Sequence, residues 1–280
     1  MVSMNRLDTA RRVAVVKALV EGNSIRATVR LTGVAKNTIQ KLVLDLGAAC
    51  AKYQDETLRG LTCKRVQCDE IWSFCYAKRK NVTPAIAEAH PDAGDVWTWT
   101  AIDADTKLVL SCLVGSRDAG SAMEFMRDIA SRLTHRVQLT TDGHKPYLSA
   151  VDYAFGTDID YATLTKLYGP DGDAEKRYSP ASCIGCVSNV VTGDPDPKHI
   201  STSYVERQNL TMRMSMRRFT RLTNAFSRKI ENHVAVTALY FMFYNFGRVH
   251  QTLRVTPAME SGVSDHVWNV QEIVGLLERV

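Results

Sequence analysis

The spacing of apolar positions divides the chain into two parts. Up to about residue 48, apolar side chains recur at helical intervals in three runs separated by short breaks. From about Lys64 the pattern changes to short runs of β-branched and aromatic residues, "KRVQCDEIWSF", "DVWTWTAIDADTKLVLSCLVGSR" and "RVQLTTDG", which predict strands. The amphipathic segment "AGSAMEFMRDIASRL" predicts a helix before the last of these strands. This order of strand, hairpin, helix and strand indicates an α/β domain with a mixed sheet.

The first part, residues 1–48, is typical of a small all-α helix-turn-helix domain. Ser24 is a predicted helix cap, and Gly33 ends the second helix before the third begins. A recognition helix that enters the major groove opens with polar and basic side chains. The third helix opens in this way, and its candidate DNA contacts are Lys36, Asn37, Thr38, Gln40 and Lys41. A plain three-helix bundle or a dimerisation module fits the same pattern.

The remaining segments complete the predicted domain organisation. Residues 49–63 are predicted to be a connector, and residues 64–260 a catalytic domain. Glycine, proline and aspartate dominate residues 168–202, which indicates an irregular insertion of that approximate extent. Residues 261–280 are predicted to form a helical tail.

The distribution of charge favours a polyanionic partner. Residues 1–60 hold ten Lys/Arg against five Asp/Glu, and residues 204–230 hold seven against one. Residues 151–200 hold four against eight, so an acidic stretch separates two basic ones. The sequence has no run of about 18 apolar residues and no apolar signal-peptide core near its start. We therefore expect a soluble, cytoplasmic protein that acts on nucleic acid and not on a membrane.

The seven cysteines are scattered and odd in number, which indicates reduced thiols. Cys183 and Cys186 form one Cys-x-x-Cys, and His199 follows them. A structural zinc site needs four ligands. Because the chain offers no clear fourth ligand nearby, zinc is not expected.

Three acidic residues stand out as candidate metal ligands: Asp69 in a predicted strand, Asp142 at the end of another, and Glu206 in a basic helix. A carboxylate in an apolar strand is costly unless it is paired or bound to a cation. Converging carboxylates suit two Mg²⁺ ions, or Mn²⁺ as a substitute, for phosphoryl transfer. Each residue alone could also be a turn residue or a helix cap. Glu70 should point to the opposite face of its strand, so we do not count it as a ligand.

Helical geometry places further polar residues near Glu206. If the helix continues to Phe219, Arg213 and Arg217 lie on the same face as Glu206, and Asn209 lies beside it. This face predicts a metal ligand next to phosphate-binding guanidinium groups; a solvated Glu–Arg face is the alternative. His144 and Lys145, which follow Asp142, could contact DNA or form a surface turn. The candidate DNA contacts outside the first domain are His144, Lys145, Asn209, Arg213, Arg217, Arg218 and Arg221.

These stretches resemble a known family, the bacterial insertion-sequence transposases of the DDE type, and most closely the insertion-sequence-one type. The resemblance rests on "CDEIWSF", "TTDGHKPY", "YVERQNLTMRMSMRRF" and "YNFGRVHQTLRVTPAM", and covers about residues 64–260. It implies a ribonuclease-H-like mixed sheet flanked by helices, as in the retroviral-integrase superfamily. It also implies that Asp69, Asp142 and Glu206 are the catalytic and metal-binding residues.

The resemblance leads to a specific expectation of function. The protein would bind the ends of an insertion sequence, cleave the phosphodiester at the 3′ ends and join them to target DNA. Its partner would be double-stranded DNA, as terminal repeats and target, and at least two copies would act together at the bacterial nucleoid. A non-catalytic regulator derived from a transposase, and a nuclease or resolvase without strand transfer, fit the same residues.

Overall fold

The structure of the protein, a computed structural model, describes residues 7–169, 183–220 and 223–279. A π-helical turn, Phe243–Gly247, extends the eighth helix. Within the described residues the α-helices are α1 (Thr9–Val20), α2 (Ile25–Thr32), α3 (Lys36–Thr57), α4 (Pro84–Ala89), α5 (Ala119–Arg132), α6 (Pro146–Phe155), α7 (Ser203–Ser215), α8 (Ile230–Met242), α9 (Pro257–Glu260) and α10 (Val270–Gly275).

The strands form one mixed sheet. They are β1 (Arg65–Cys75), β2 (Gly94–Asp103), β3 (Val109–Gly115), β4 (Gln138–Thr141), β5 (Asp160–Tyr168) and β6 (Cys183–Thr192). Their order across the sheet is β3-β2-β1-β4-β5-β6. The β1–β2, β2–β3 and β5–β6 pairs are antiparallel, whereas β4 runs parallel to both β1 and β5. The predicted ribonuclease-H-like class, a mixed sheet flanked by helices, is confirmed.

Strand β1 lies at the centre of the sheet and is covered on both faces, so its side chains alternate between two layers. Cys68 joins the hydrophobic cluster that contains Trp99 and Phe125 of α5. Ile71 joins a second cluster, with Val205 of α7 and residues of α8. Because alternate residues of a strand point to opposite faces, Asp69 belongs to the α7 side and Glu70 to the α5 and α6 side.

The first three helices pack into the same hydrophobic cluster as the sheet. Helix α3 is 22 residues long and runs past the predicted boundary at residue 48, so residues 49–57 of the predicted connector are helical. It packs along α8, and a Cβ at Gly47 would lie 2.4 Å from the carbonyl oxygen of Ala235. A separate N-terminal all-α domain is therefore not confirmed, and the helix-turn-helix role stays a prediction.

The segment predicted to be an irregular insertion contains a strand, and the predicted helical tail contains a helix. Part of the insertion predicted over about 168–202 is β6, which pairs antiparallel with β5; residues 170–182 lie outside the described residues. The prediction missed β6 because its pairing with β5 is not visible in local composition. The predicted tail contains the short helix α10, with a capping box between Asn269 and Glu272. It packs against α1, and Glu278 pairs with Arg12 at 3.1 Å.

The close contact of α3 with α8 yields a stability prediction. Replacing Gly47 with alanine should lower the free energy of unfolding by about 1–3 kcal/mol, because the new methyl group would collide with the backbone of α8. Gly275→Ala is the matched control, since a Cβ there meets nothing within 4 Å and alanine favours the helix by up to about 1 kcal/mol. Urea unfolding of both variants checks this. Equal stability of the two would contradict the tight α3–α8 contact.

Candidate active site

The three predicted acids meet at one open cleft. Asp69 lies in the middle of β1, Asp142 directly follows β4, and Glu206 lies in the first turn of α7. All three line a cleft of about 500 Å³. The parallel pairing of Cys68 with Thr141 brings the next residues of both strands, Asp69 and Asp142, side by side. Residues far apart in sequence are thus brought together by the sheet.

Helix α7 is attached to the same strand. The side-chain oxygen of Gln67 accepts hydrogen bonds from the backbone N–H groups of Tyr204 (2.9 Å) and Val205 (3.2 Å) at the start of α7. These N–H groups have no partner within a helix. Gln67 therefore caps the helix from the strand and fixes Glu206 close to Asp69.

Asp69 is held by a helix side chain. The Asn209 Nδ2 atom donates a hydrogen bond to Asp69 Oδ2 (2.8 Å). Burial raises the pKa of Asp69 from 3.8 to about 6, and the negative charge of Asp142 adds to this effect. Asn209, predicted to lie beside Glu206 and grouped with the candidate DNA contacts, orients Asp69.

Asp142 accepts hydrogen bonds from two directions. Its Oδ1 accepts from the backbone N–H of His144 (2.9 Å), and its Oδ2 accepts from Arg117 Nη2 (3.4 Å). The chain passes very close to β5 at Gly143, where a Cβ would lie 2.7 Å from the hydroxyl of Thr165. A glycine at this position lets Asp142 lie at the base of the cleft.

Both carboxylate oxygens of Glu206 have partners within the protein. The Thr202 hydroxyl donates to Oε1 (2.7 Å), and Lys166 of β5 forms an ion pair with Oε2. The side chains of Lys166 and Glu206 are 30% and 36% exposed, so the pair lies at the wall of the cleft and not in the core. Lys166 was not among the residues predicted from the sequence, although a lysine within a predicted strand was a signal for it.

Glu70 lies beside the triad, contrary to the prediction. Ligand oxygens of Asp69, Glu70 and Asp142 lie within 4.8 Å of one another, and these three residues could hold a divalent cation. The strand does point the two neighbouring side chains to opposite faces, but β4 ends at Thr141. Both side chains can therefore turn around the end of β4 toward Asp142. Strand alternation alone could not reveal this.

Glu70 is fully buried and its two oxygens are in different environments. Oε2 accepts a hydrogen bond from Arg117 Nε (3.0 Å), whereas Oε1 is buried without a hydrogen-bond partner among the described residues. Burial raises the pKa of Glu70 from 4.5 to about 7, and the charges of Asp142 and Asp69 add to this effect. A bound cation would give this buried oxygen a partner and would reduce the repulsion among the three carboxylates. The acids therefore fit a divalent metal ion.

The predicted arginine face is only partly present. Helix α7 ends at Ser215, and Met216 has an extended backbone, so Arg217 does not share a helical face with Glu206. Met216 and Phe219 are buried in the cluster below the sheet, and their burial overrides the helical pattern. Arg213 lines the cleft, as predicted, and Arg217 is exposed outside it.

Arg218 is half-buried, and its guanidinium is bonded within the protein. Its guanidinium donates hydrogen bonds to the Ser227 hydroxyl (2.7 Å) and the Asn232 carbonyl oxygen (2.9 Å). Burial lowers the pKa of Arg218 to about 10. It links the turn that follows α7 to Ser227 and to the first turn of α8, a role that the sequence did not indicate. Arg221 lies outside the described residues.

The other predicted DNA contacts occupy two places. At the start of α3, Lys36, Asn37, Thr38 and Lys41 are exposed and Gln40 is half-buried. His144 and Lys145 follow Asp142; Lys145 is exposed, whereas the His144 ring packs edge-on against Tyr147 at 5.9 Å between centroids. Burial lowers the pKa of His144, and the charge of Arg117 adds to this effect. His144 therefore packs beside the site, in surroundings that disfavour its charged form.

The cysteines take no part in the acidic cleft as metal ligands. Cys183 and Cys186 are exposed on β6, and the His199 side chain pairs with Asp196 at 3.7 Å. Among the residues that the structure describes, the only group of three or more candidate metal ligands is the acidic one. No helix of the described chain is long and apolar enough to span a membrane.

Comparisons with known proteins do not identify a family. No protein-family model matches the sequence. No curated protein matches it. Among solved structures, the chain is similar to a piggyBac transposase in a cryo-EM synaptic complex with hairpin DNA. The identity is 8% and the TM-score 0.43, over 96% of this chain and 69% of that chain. A similarity at this level carries no functional argument, so function has to be inferred from the site.

The raised pKa of Asp69 predicts a stability effect in the metal-free protein. A carboxyl whose pKa is higher in the folded state stabilises the fold at low pH and loses this contribution as the pH rises through about 6. Asp69→Asn should therefore raise the free energy of unfolding at about pH 7.5, on the order of 2 kcal/mol, and change it little near pH 4.

Urea unfolding in EDTA at both pH values tests this expectation. The control is Asp45→Asn, an exposed position on α3, which should have a small effect at both pH values. A gain from Asp69→Asn that does not depend on pH would contradict the burial of this carboxylate as the cause.

Proposed function

We propose that the protein is a metal-dependent DNA transposase. It would bind the ends of a mobile element, cleave the phosphodiester at the 3′ ends and join these ends to target DNA. The observation that carries this proposal is the convergence of Asp69, Asp142 and Glu206 on one open cleft of a ribonuclease-H-like sheet. The quoted stretches that resemble DDE transposases supply the same three residues in the same order.

The geometry of the cleft suits phosphodiester chemistry. When bound, a divalent cation such as Mg²⁺ or Mn²⁺ would activate the attacking oxygen and stabilise the leaving one. The carboxylates of Asp69, Asp142 and Glu206 are the proposed ligands for two such ions. Asn209 keeps the Asp69 carboxylate oriented. Lys166 and Arg213, the basic residues that line the cleft, would contact the DNA phosphates.

The open form of the cleft also agrees with a polymeric substrate. Asp142 and Glu206 are each about one-third exposed, so an extended phosphate backbone can reach them without an opening of the fold. No protein nucleophile is needed, because water and then the DNA 3′-hydroxyl attack in turn. The same carboxylates can therefore serve both cleavage and joining.

DNA recognition is proposed for the N-terminal helices. The exposed start of α3, with Lys36, Asn37, Thr38 and Lys41, would enter the major groove, as in a helix-turn-helix protein. Cutting and joining two element ends requires at least two copies of the chain on DNA. We propose that this assembly acts at the bacterial nucleoid.

Substitution of the acids tests the catalytic part of the proposal. Asp69→Asn, Asp142→Asn and Glu206→Gln should each lower Mg²⁺-dependent cleavage of a labelled element end by at least about a hundredfold. The reason is that each removes a cation ligand, and such a cation contributes several kcal/mol to the transition state. DNA binding in a gel-shift assay should change little. Glu124→Gln, on the exposed side of α5, is the control.

The same assay, with an unlabelled plasmid as target, separates the candidate functions. Joined products indicate a transposase. Cut ends without joining would indicate a nuclease or resolvase, and intact DNA with normal binding would indicate a regulator. Near-normal cleavage by any of the three variants would remove that residue from the catalytic set.

The start of α3 yields a separate prediction about DNA binding. The double substitution Lys36→Ala and Lys41→Ala should weaken binding and reduce the slope of log affinity against log salt by about two, because two phosphate contacts are lost. Lys52→Ala, exposed on the same helix, is the control and should leave the slope unchanged. Binding of a labelled element end at several salt concentrations measures this, and an unaltered slope in the double variant would exclude α3 as the contact.

A further inference from the structure

Glu70 has no assigned role in the predicted triad, yet it is the most buried acid of the cleft. Its side chain has 0% exposure, and Oε1 makes no hydrogen bond with any described residue. The nearby hydroxyl of Tyr147 lowers the pKa of Glu70, but neither this hydroxyl nor Glu70 Oε1 has a partner at normal hydrogen-bond geometry. A buried carboxylate oxygen without a partner costs free energy unless a ligand satisfies it.

The oxygens around this point are of the kind that a hard cation prefers. Oxygens of Asp69, Glu70 and Asp142 lie within 4.8 Å of one another. Asn209 occupies one oxygen of Asp69, and Arg117 contacts one oxygen each of Glu70 and Asp142. The other oxygen of Asp142 accepts from the backbone N–H of His144, so Asp142 would bind a cation through its remaining lone pairs. Carboxylate oxygens therefore remain for a cation, with Glu70 Oε1 as the clearest of them.

Unlike Glu70, Glu206 has a partner for each of its two carboxylate oxygens. One of its oxygens accepts from Thr202, and the other is paired with Lys166. Glu206 is also absent from the group of acids whose oxygens lie within 4.8 Å of one another. To bind a cation through Oε2, Glu206 would have to break its ion pair with Lys166. Glu70 can bind a cation through Oε1 while Oε2 stays paired with Arg117.

We propose that the DNA-free protein holds its first divalent cation with Asp69, Glu70 and Asp142, while Lys166 keeps Glu206 out of this ligand set. The inference rests on the metal dependence of the proposed function. It specifies the order in which the carboxylates bind the cation. DNA phosphate competes with Glu206 for Lys166. Arrival of the substrate therefore releases Glu206 to complete the site, and metal ligation is finished only when DNA is present.

Mn²⁺ binding to the DNA-free full-length chain tests this proposal without any measurement of activity. Titration followed by electron paramagnetic resonance of free Mn²⁺ gives the affinity and the number of ions. Glu70→Gln should weaken the first site at least about tenfold, since even residues behind the ligands cost 10–100-fold in affinity. Glu206→Gln should change it by less than about twofold. The reverse order of these two effects would overturn the proposal.

Controls separate ligation from a structural role of Glu70. Glu124→Gln, exposed on α5, should bind Mn²⁺ as the wild type does. Arg117→Gln should bind it equally well or more tightly, because a competing positive charge is removed from the same carboxylates. If Arg117→Gln weakened binding as much as Glu70→Gln, Glu70 would act by holding Arg117, and the proposal would be wrong.

The test also covers folding and the failure of the proposed function. If Glu70→Gln does not fold, Glu70→Asp takes its place: because its carboxylate is one methylene shorter, a folded Glu70→Asp should bind Mn²⁺ more weakly, and wild-type affinity would count against ligation by Glu70. A wild type that binds no Mn²⁺ refutes both the proposed metal dependence and this inference. A wild type that binds one ion, with an unaffected Glu70→Gln, refutes the inference alone.

Discussion

The parallel pairing of β1 with β4 is the constraint on which the site depends. Its last pair, Cys68 with Thr141, leaves Asp69 and Asp142 at adjacent positions where β4 stops. Because β4 is only four residues long, the edge of β1 beyond it is open. Side chains from both faces of β1 can therefore converge there, which is why Glu70 joins the cleft.

Convergence of carboxylates creates an electrostatic cost, and two basic residues reduce it. Arg117 bridges Glu70 and Asp142 and lies 4.8 Å above the Trp97 ring, while Lys166 pairs with Glu206. The pKa of Asp69 is about 6 and that of Glu70 about 7. Both are raised first by burial and further by the charges of the neighbouring acids. Such a site favours cation binding, because a divalent ion removes the repulsion that the fold tolerates without it.

The N-terminal helices are coupled to the active site by direct packing. Helix α3 lies against α8 with no room for a side chain at Gly47. The turn between α1 and α2 meets the end of α7, where a Cβ at Gly22 would lie 2.9 Å from the carbonyl oxygen of Ser215. If DNA binds at α3 as proposed, it contacts a group of helices whose α1–α2 turn packs directly against α7, the helix that carries Glu206. Removal of residues 1–48 would cut α3 and expose this core.

Local pattern determined much of this protein. The β-branched and aromatic runs of β1 and its neighbours, the cap at Ser24, and the acids Asp69, Asp142 and Glu206 could all be identified from neighbouring residues, because these features depend on nearby side chains and on spacing along the chain. The tertiary structure alone decided the rest: the end of α7 at Ser215, the inward turn of Arg218, the strand β6 and the proximity of Glu70 and Lys166. Each of these depends on a partner distant in sequence, through packing, hydrogen bonding or the point at which a neighbouring strand stops, and no local pattern records such a partner.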